Sequence, residues 1–308
     1  MERKKFKDLA IGEAARLPLL LLDAKQEQSR NGAYCTLTMT DGEETAQAKM
    51  WQTTLDMVQM YLKSIVLVDL KVQEYNGRSY VASRMCAAGD SYPLADFIRM
   101  PPESPEEYYT DILSRCEHFC RDNSVLLRIV RHLYETNRER LLKASAAKRM
   151  HHNLRGGLMQ HTATIVRHAE SAALLYKDLD PELLLCAAAL HDIGKLEELD
   201  TDELGVANYT VRGALLGHAA IGISMIEKAM ADLGIEETEK TMLLKHCIAA
   251  HHGKQEWGAF VTPMTAEAEM LFLCDLTDAR MYEYAAAAGD AGTVTDVFGI
   301  GKVYHPVR

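Results

Sequence analysis

The chain has 308 residues, 48% hydrophobic and 25% charged, with a formal charge of −10. This is the composition of ordinary folded proteins and excludes a disordered chain, a collagen-like repeat or a coiled-coil rod, while the length suits about two domains. The opening MERKKFKDLAIGEAAR has no apolar core or small-residue cleavage site, and apolar runs such as 183–190 are shorter than the roughly 18–20 residues a bilayer-spanning helix needs, so neither secretion nor a membrane span is expected. Seven cysteines, an odd number without a CxxC pair, sit in apolar periodic segments and read as reduced core thiols of a cytoplasmic protein. Residues 1–100 carry 13 basic and 13 acidic side chains, so all the net acidity lies in the remainder. An acidic surface of this kind aids solubility, and it leaves a nucleic-acid partner to a locally basic groove.

From residue 16 to 87 the pattern is strand-like. After the apolar run LPLLLLDA, the segment GAYCTLTMT alternates Ala33, Cys35, Leu37 and Met39 with Tyr34, Thr36 and Thr38, which predicts a strand buried on one face. A DGEE turn leads into TAQAKMW, a second alternating strand that completes a hairpin. Residues 53–63 place Leu55, Val58 and Leu62 at helical spacing, and residues 64–85 then read as two strands around the hairpin signal Asn76-Gly77. Three strands, a helix and two strands predict a five-stranded OB barrel over residues 1–90. OB folds stack the bases of single strands on aromatics in a basic groove, which makes Tyr34, Trp51, Tyr75, Tyr80, Lys49, Lys71 and Arg78 candidate contacts. Each of these alone is equally an ordinary sheet residue packing across strands.

Residues 91–105, with four prolines, predict a linker, and residues 106–308 predict an all-α domain with a C-terminal tail. Pro105 followed by Glu106 and Glu107 suits a helix start. Cys116 and Cys120 share a helical face and are expected to pack rather than bind metal.

Of the 12 histidines, all but His118, His132 and His305 fall between residues 151 and 252. The apolar helix 187–190 ends in His191-Asp192, followed by Gly194 and Lys195. Imidazole nitrogen and carboxylate oxygen together suit Mn, Fe, Zn or Mg-like ions, and an apolar helix aims them rigidly. Upstream lies GGLMQHT with His161. Downstream lie Gly217-His218, the run AHHG with His251 and His252, and LCDLTDA with Asp275.

A lone His, a His-Asp pair and a final Asp in this order resemble the HD-domain phosphohydrolase superfamily. The motifs HHNxxGGLxxHT, LHDIGK, GHxxxG and AHHG, together with the barrel ahead of them, are similar to the YhaM-type 3′-to-5′ exoribonucleases, a resemblance that runs from about residue 15 to 304. It implies a metal-dependent exonuclease that releases nucleoside 5′-monophosphates from the 3′ ends of single-stranded RNA, with single-stranded DNA a further candidate. The residues alone reach only a metal-dependent phosphohydrolase, and a free-nucleotide or small-phosphoester hydrolase and a non-catalytic single-strand-binding protein stand as alternatives.

On this resemblance His161, His191, Asp192 and Asp275 hold a first ion, expected to be Mn²⁺, with Fe or Mg²⁺ the alternatives. Asp192 bridges to a second, held by His218 and His251 with His252 alternative or auxiliary. Paired ions activate water and stabilise both oxygens of an in-line displacement at phosphorus. Asp192 and Lys195 are the catalytic candidates, Lys195 as a cation for a non-bridging phosphate oxygen. His151 and His152 are candidate substrate contacts, and a homo-oligomer is a family expectation. His168 and His246 read as supporting or packing residues, and Asp278 as a supporting neighbour of Asp275. Gln160 departs from the family pattern, where glutamate is expected, and bears on catalytic efficiency. The segment HHGKQEWG lacks the HHExxDGxGYP pattern of cyclic di-GMP phosphodiesterases.

Overall fold

The computed structural model describes residues 3–307 except 31, 75–77, 99, 122, 148–153, 288, 290 and 298–299, and the side chain of 95. The chain divides into two compact units, Met1–Arg99 and Met100–Arg308.

The first unit contains β1 (Ala14–Ser29), β2 (Gly32–Thr40), β3 (Thr45–Trp51), α1 (Leu55–Val58), β4 (Ile65–Glu74) and β5 (Arg78–Ala87). The strands close into a barrel of order β1-β2-β3-β5-β4, the OB topology expected from the sequence. Closure depends on the length of β1. Its first half pairs with β4 and its second with β2, and an irregularity between Leu21 and Asp23 bends the strand between its two partners. Parallel pairing of Ala48 with Tyr80 and Met50 with Ala82 seals the last seam. The alternation read from the sequence holds in β2, where Cys35, Leu37 and Met39 are buried and Tyr34, Thr36 and Thr38 are not.

The predicted helix over 53–63 is shorter. α1 is a single turn, followed by a tighter turn over Gln59–Tyr61, and Val58 alone is fully buried against the barrel core. Lys63 at φ 61° turns the chain into β4 and leaves no room for further helix. The Asn76-Gly77 turn and Tyr75 lie outside the described residues. The first part of the predicted linker belongs to this unit, with Phe97 fully buried and the Arg3 guanidinium 3.9 Å above its ring.

The second unit begins with α2 (Pro105–Phe119), whose start is set by Ser104: its hydroxyl accepts from Glu107 N while the Glu107 carboxylate accepts from Ser104 N at 2.7 Å. It continues with α3 (Val125–Thr136), α4 (Arg138–Leu141), α5 (Gly157–Leu175), α6 (Pro181–Leu190), α7 (Lys195–Glu198), the hairpin β6 (Leu199–Thr201) and β7 (Ala207–Tyr209), α8 (Val211–Asp232), α9 (Glu239–Ala250) and α10 (Ala266–Ala286). A second hairpin, β8 (Val294–Val297) with β9 (Gly301–Tyr304), follows. The sequence reading did not foresee either hairpin. The first turns on Asp202, whose carboxylate accepts from Leu204 N and Val206 N ahead of Gly205 at φ 83°.

α6 is the axis of the unit. Every residue from Leu183 to Leu190 is buried, so the helix is apolar on all sides and packs against α2, α3, α5, α9 and α10. α8 is long and apolar enough, by length and composition, to cross a membrane. Here Ile221, Met225, Ile226 and Ala229 turn into the same core, and Gly217 at φ 70°, ψ 157° breaks the helix. All seven cysteines are free, with Cys116 packed in the core as expected.

Candidate metal centre

The apolar helix α6 ends by delivering His191 and Asp192 into the interior, where they are 0% and 3% exposed. Four further elements converge on that point. α5 brings His161, the segment after the Gly217 break brings His218, the end of α9 brings His251 and His252, and α10 brings Asp275.

The donors fall into two groups that share Asp192. Around Oδ2 of Asp192 lie His161 Nε2 and His191 Nε2, each at 3.3 Å, and these two nitrogens are 3.2 Å apart. Asp275 Oδ1 completes this group, 3.3 Å from His161 Nε2. Around Oδ1 of Asp192 lie His218 Nε2 at 3.4 Å and His251 Nε2 at 4.0 Å. His218 Nε2 is in turn 3.3 Å from His251 Nε2 and 3.2 Å from His252 Nε2. Ligands about 2.1 Å from a common ion stand roughly 3.0–3.4 Å from one another. Imidazole nitrogens approach each other this closely only around a shared proton or cation, so both groups fit a divalent metal.

The opposite ring nitrogens show why these rings face inward. His161 Nδ1 donates to Asp278 Oδ2 at 2.7 Å, His191 Nδ1 to the Ala188 carbonyl at 2.8 Å and His251 Nδ1 to the Ile248 carbonyl at 2.6 Å. His218 Nδ1 donates to Glu198 Oε1 at 3.2 Å, and the same carboxylate oxygen takes the His218 backbone N–H freed by the Gly217 break. Each bond engages Nδ1 and so orients Nε2 toward the site. His252 Nδ1 is buried without a partner among the described residues.

The two groups differ in charge. Burial opposes protonation of His161, but Asp192, Asp275 and Asp278 outweigh it and raise its pKa well above that of a free histidine. Burial also penalises the Asp192 carboxylate, yet Lys195 and His191 lead the groups that hold it ionised. On the other side burial, reinforced by neighbouring imidazoles, lowers His251 and His252, which keeps them neutral ligands. One group is therefore rich in carboxylate and the other in neutral nitrogen.

Lys195 is not a solvated helix-end cation. Its side chain is only 13% exposed and its ammonium lies 2.7 Å from Asp192 Oδ2. The glycine of LHDIGK has a steric explanation: a Cβ on Gly194 would fall 2.0 Å from the His218 carbonyl oxygen and 2.6 Å from Gly222 N. α7 and α8 touch backbone to backbone there, which brings His218 to Asp192.

Among the remaining candidates, Asp278 acts on His161, as its spacing from Asp275 suggested. Glu198 was missed, because nothing local marks one acid of the Glu197-Glu198 pair as a partner for a histidine 20 residues on. His246 Nε2 accepts from Met264 N at 3.0 Å and so holds a loop. His168 sits two turns beyond His161 on α5, about 10 Å along its axis, and is not one of the convergent donors. Gln160 Oε1 is buried without a partner among the described residues. His151 and His152 lie outside the described residues.

On the barrel, Tyr34 and Trp51 are cross-strand partners of β2 and β3 with ring centroids 4.7 Å apart. The Lys49 ammonium lies 5.3 Å from one ring centroid and 5.8 Å from the other. Trp51 is 45% exposed, a large apolar surface left facing solvent beside a cation. Tyr80 instead belongs to the barrel core. Arg78 also departs from expectation: its guanidinium donates to the carbonyls of Phe6 and Leu9, fastening the N-terminal turn to β5.

The HD domain family matches residues 158–280, the stretch that contains all seven of these ligand candidates. The 3′-5′ exoribonuclease YhaM of Halalkalibacterium halodurans is 33% identical over 280 residues, 88% of this chain and 85% of that protein. The YhaM of Shouchella clausii is 34% identical over 282 residues, again 88% and 85%, and that of Bacillus pumilus 32% over 276 residues, 88% and 86%. No solved structure matches the chain significantly. At 32–34% identity to these relatives over 88% of its length, the chain belongs to the YhaM 3′-5′ exoribonuclease family.

Proposed function

We propose that the chain is a metal-dependent 3′-to-5′ exonuclease that shortens single-stranded RNA, and single-stranded DNA as well, releasing nucleoside 5′-monophosphates. The observation that carries this reading is Asp192, whose two carboxylate oxygens each face a separate cluster of imidazole nitrogens. Asp192 would hold two divalent ions, for which we propose Mn²⁺, together with His161, His191 and Asp275 on one side and His218, His251 and His252 on the other. When bound, paired ions activate water and stabilise the attacking and leaving oxygens of an in-line displacement at phosphorus.

The protein's own part is to hold these donors before substrate arrives. Asp278 and Glu198 orient His161 and His218. Lys195 keeps Asp192 ionised and stands one bond from the site, positioned to meet a non-bridging phosphate oxygen as charge builds there. Tyr34, Trp51 and Lys49 offer stacking surface and a cation to the strand upstream, a contact indifferent to the sugar, which is why both RNA and DNA are included. The seven free thiols suit the cytoplasm.

The test is product analysis on 5′-labelled single-stranded RNA with Mn²⁺, a chelated control and a 3′-blocked strand. A metal-dependent ladder that shortens from the free 3′ end and is suppressed by the block is expected. Intact RNA alongside hydrolysis of free nucleotides would replace this reading with a small-phosphoester hydrolase.

A further inference from the structure

The loop after the two histidines of α9 carries an aromatic that neither the metal centre nor the barrel face uses. Trp257 is 47% exposed, yet it stands on a rigid base. The Lys254 carbonyl accepts from Trp257 N at 3.0 Å and from Ala259 N at 3.1 Å, and Phe260 N donates to the Ala249 carbonyl of α9 at 3.0 Å. A large flat ring that is both solvent-facing and pinned is a preformed surface for a stacking ligand.

Its position suggests what that is. Gly258, the next residue, has φ 102° and its missing Cβ would lie 3.1 Å from Nδ1 of His252, so the loop backbone abuts one of the convergent histidines. On the other side the Trp257 ring lies 6.0 Å from that of Phe272, tilted at 46°. Phe272 precedes Asp275 by one turn of α10, and it also fills the space a Gly253 side chain would need. Trp257 is thus held between the two elements that supply His252 and Asp275. The Lys254 ammonium is 4.6 Å from its ring centroid on a side chain that is 56% exposed, paired with the exposed Glu256 carboxylate at 4.0 Å, so a flat ligand can displace it sideways while staying near its charge.

We infer that Trp257 is the platform on which the base of the 3′-terminal nucleotide stacks, with Lys254 beside it as a cation for that nucleotide. The inference rests on the exonuclease reading and adds a base-recognition position at the metal end of the substrate. Stacking of this kind accepts every base, as an enzyme that removes nucleotides in succession requires.

The experiment compares removal of a 3′-terminal nucleotide with removal of a 3′-terminal abasic residue from otherwise identical RNA, using the full chain with Mn²⁺. The unaltered protein is expected to prefer the base in kcat/KM by about 5- to 100-fold. Trp257→Ala is expected to lose that preference and Trp257→Phe to keep most of it. A Trp257→Ala protein that discriminates as before, or an unaltered protein with no preference, overturns the inference. A second readout needs no turnover. The chain has two tryptophans, so in Trp51→Phe the fluorescence reports Trp257 alone. Adenosine 5′-monophosphate should quench it saturably and ribose 5-phosphate should not, while equal responses to both overturn the inference. Quenching by the nucleotide in a protein that shortens no strand under any metal would remove the exonuclease reading and leave the platform standing.

Discussion

In the barrel, the residues offered to a ligand lie on the outside of a sheet whose other face is already packed. In the helical unit, they are the interior. Tyr34 and Trp51 need only a correct cross-strand register, which the core-facing Cys35, Leu37, Ala48 and Met50 set independently. His161, His191, Asp192 and His251 are 3% exposed or less, and each is in contact with another buried residue. A platform of the first kind tolerates change and contributes by addition. A network of the second kind is coupled, since removing one member leaves others with unpaired buried charge.

The largest expected effect follows from that coupling. Asp192→Asn keeps the shape of the side chain and removes the charge that faces both clusters. Turnover should fall by about 10³-fold or more, equivalent to several kcal/mol of barrier. Affinity for long single-stranded RNA, measured by fluorescence anisotropy, should change little, because the barrel face is untouched. Equal losses of turnover and affinity would mean that the metal centre itself holds the strand and that the division between surface and interior is wrong.

Next come the residues that orient ligands without being ligands. Asp278→Asn and Glu198→Gln should each lower Mn²⁺ affinity by about 10- to 100-fold, with turnover recovering at saturating metal. Titrating activity against Mn²⁺ for each variant separates this from a direct catalytic role, in which excess metal would not restore the rate.

On the barrel, Trp51→Ala and Tyr34→Ala should each weaken binding of a long strand by about 1–3 kcal/mol if each stacks one base, with their contact adding a coupling of about 0.5–1.5 kcal/mol. Turnover of a dinucleotide, which has no strand beyond the reacting end, should be unchanged. A matching loss on the dinucleotide would show that the barrel face acts on the reacting end.

The same contrast explains what was legible in the sequence. The barrel's strand order was readable because alternation is local, as Cys35, Leu37 and Met39 show. The extent of α1 was not, since helical spacing over 53–63 carries no information about the turn that Lys63 makes into β4. In the helical unit His191 and Asp192 announced themselves by ending an apolar run, and Asp278 by its spacing from Asp275. Glu198 gave no such sign: its role depends on the break at Gly217, which exposes the His218 backbone N–H that this carboxylate accepts. Gly194 was visible as a motif position, but the backbone contact that requires it exists only in the folded chain.

Arg78 is the sharpest small test, because chemistry and position disagree about it. An arginine on a barrel strand suits a phosphate, yet its guanidinium is committed to the carbonyls of Phe6 and Leu9. Phe6 is fully buried against Tyr80, with ring centroids 5.1 Å apart, so releasing those carbonyls loosens a core residue as well. Arg78→Ala should therefore cost about 1–3 kcal/mol of barrel stability, two intramolecular hydrogen bonds at about 0.5–1.5 kcal/mol each. For a unit of this size each kcal/mol lowers the midpoint of thermal unfolding by roughly 4–8 °C. Affinity for single-stranded RNA, measured below that transition, should stay within about twofold, and its salt dependence should be unchanged because no phosphate contact is lost. A shallower salt slope with no change in unfolding midpoint would put Arg78 on the strand, and the cationic surface of the barrel would then reach beyond Lys49 to β5.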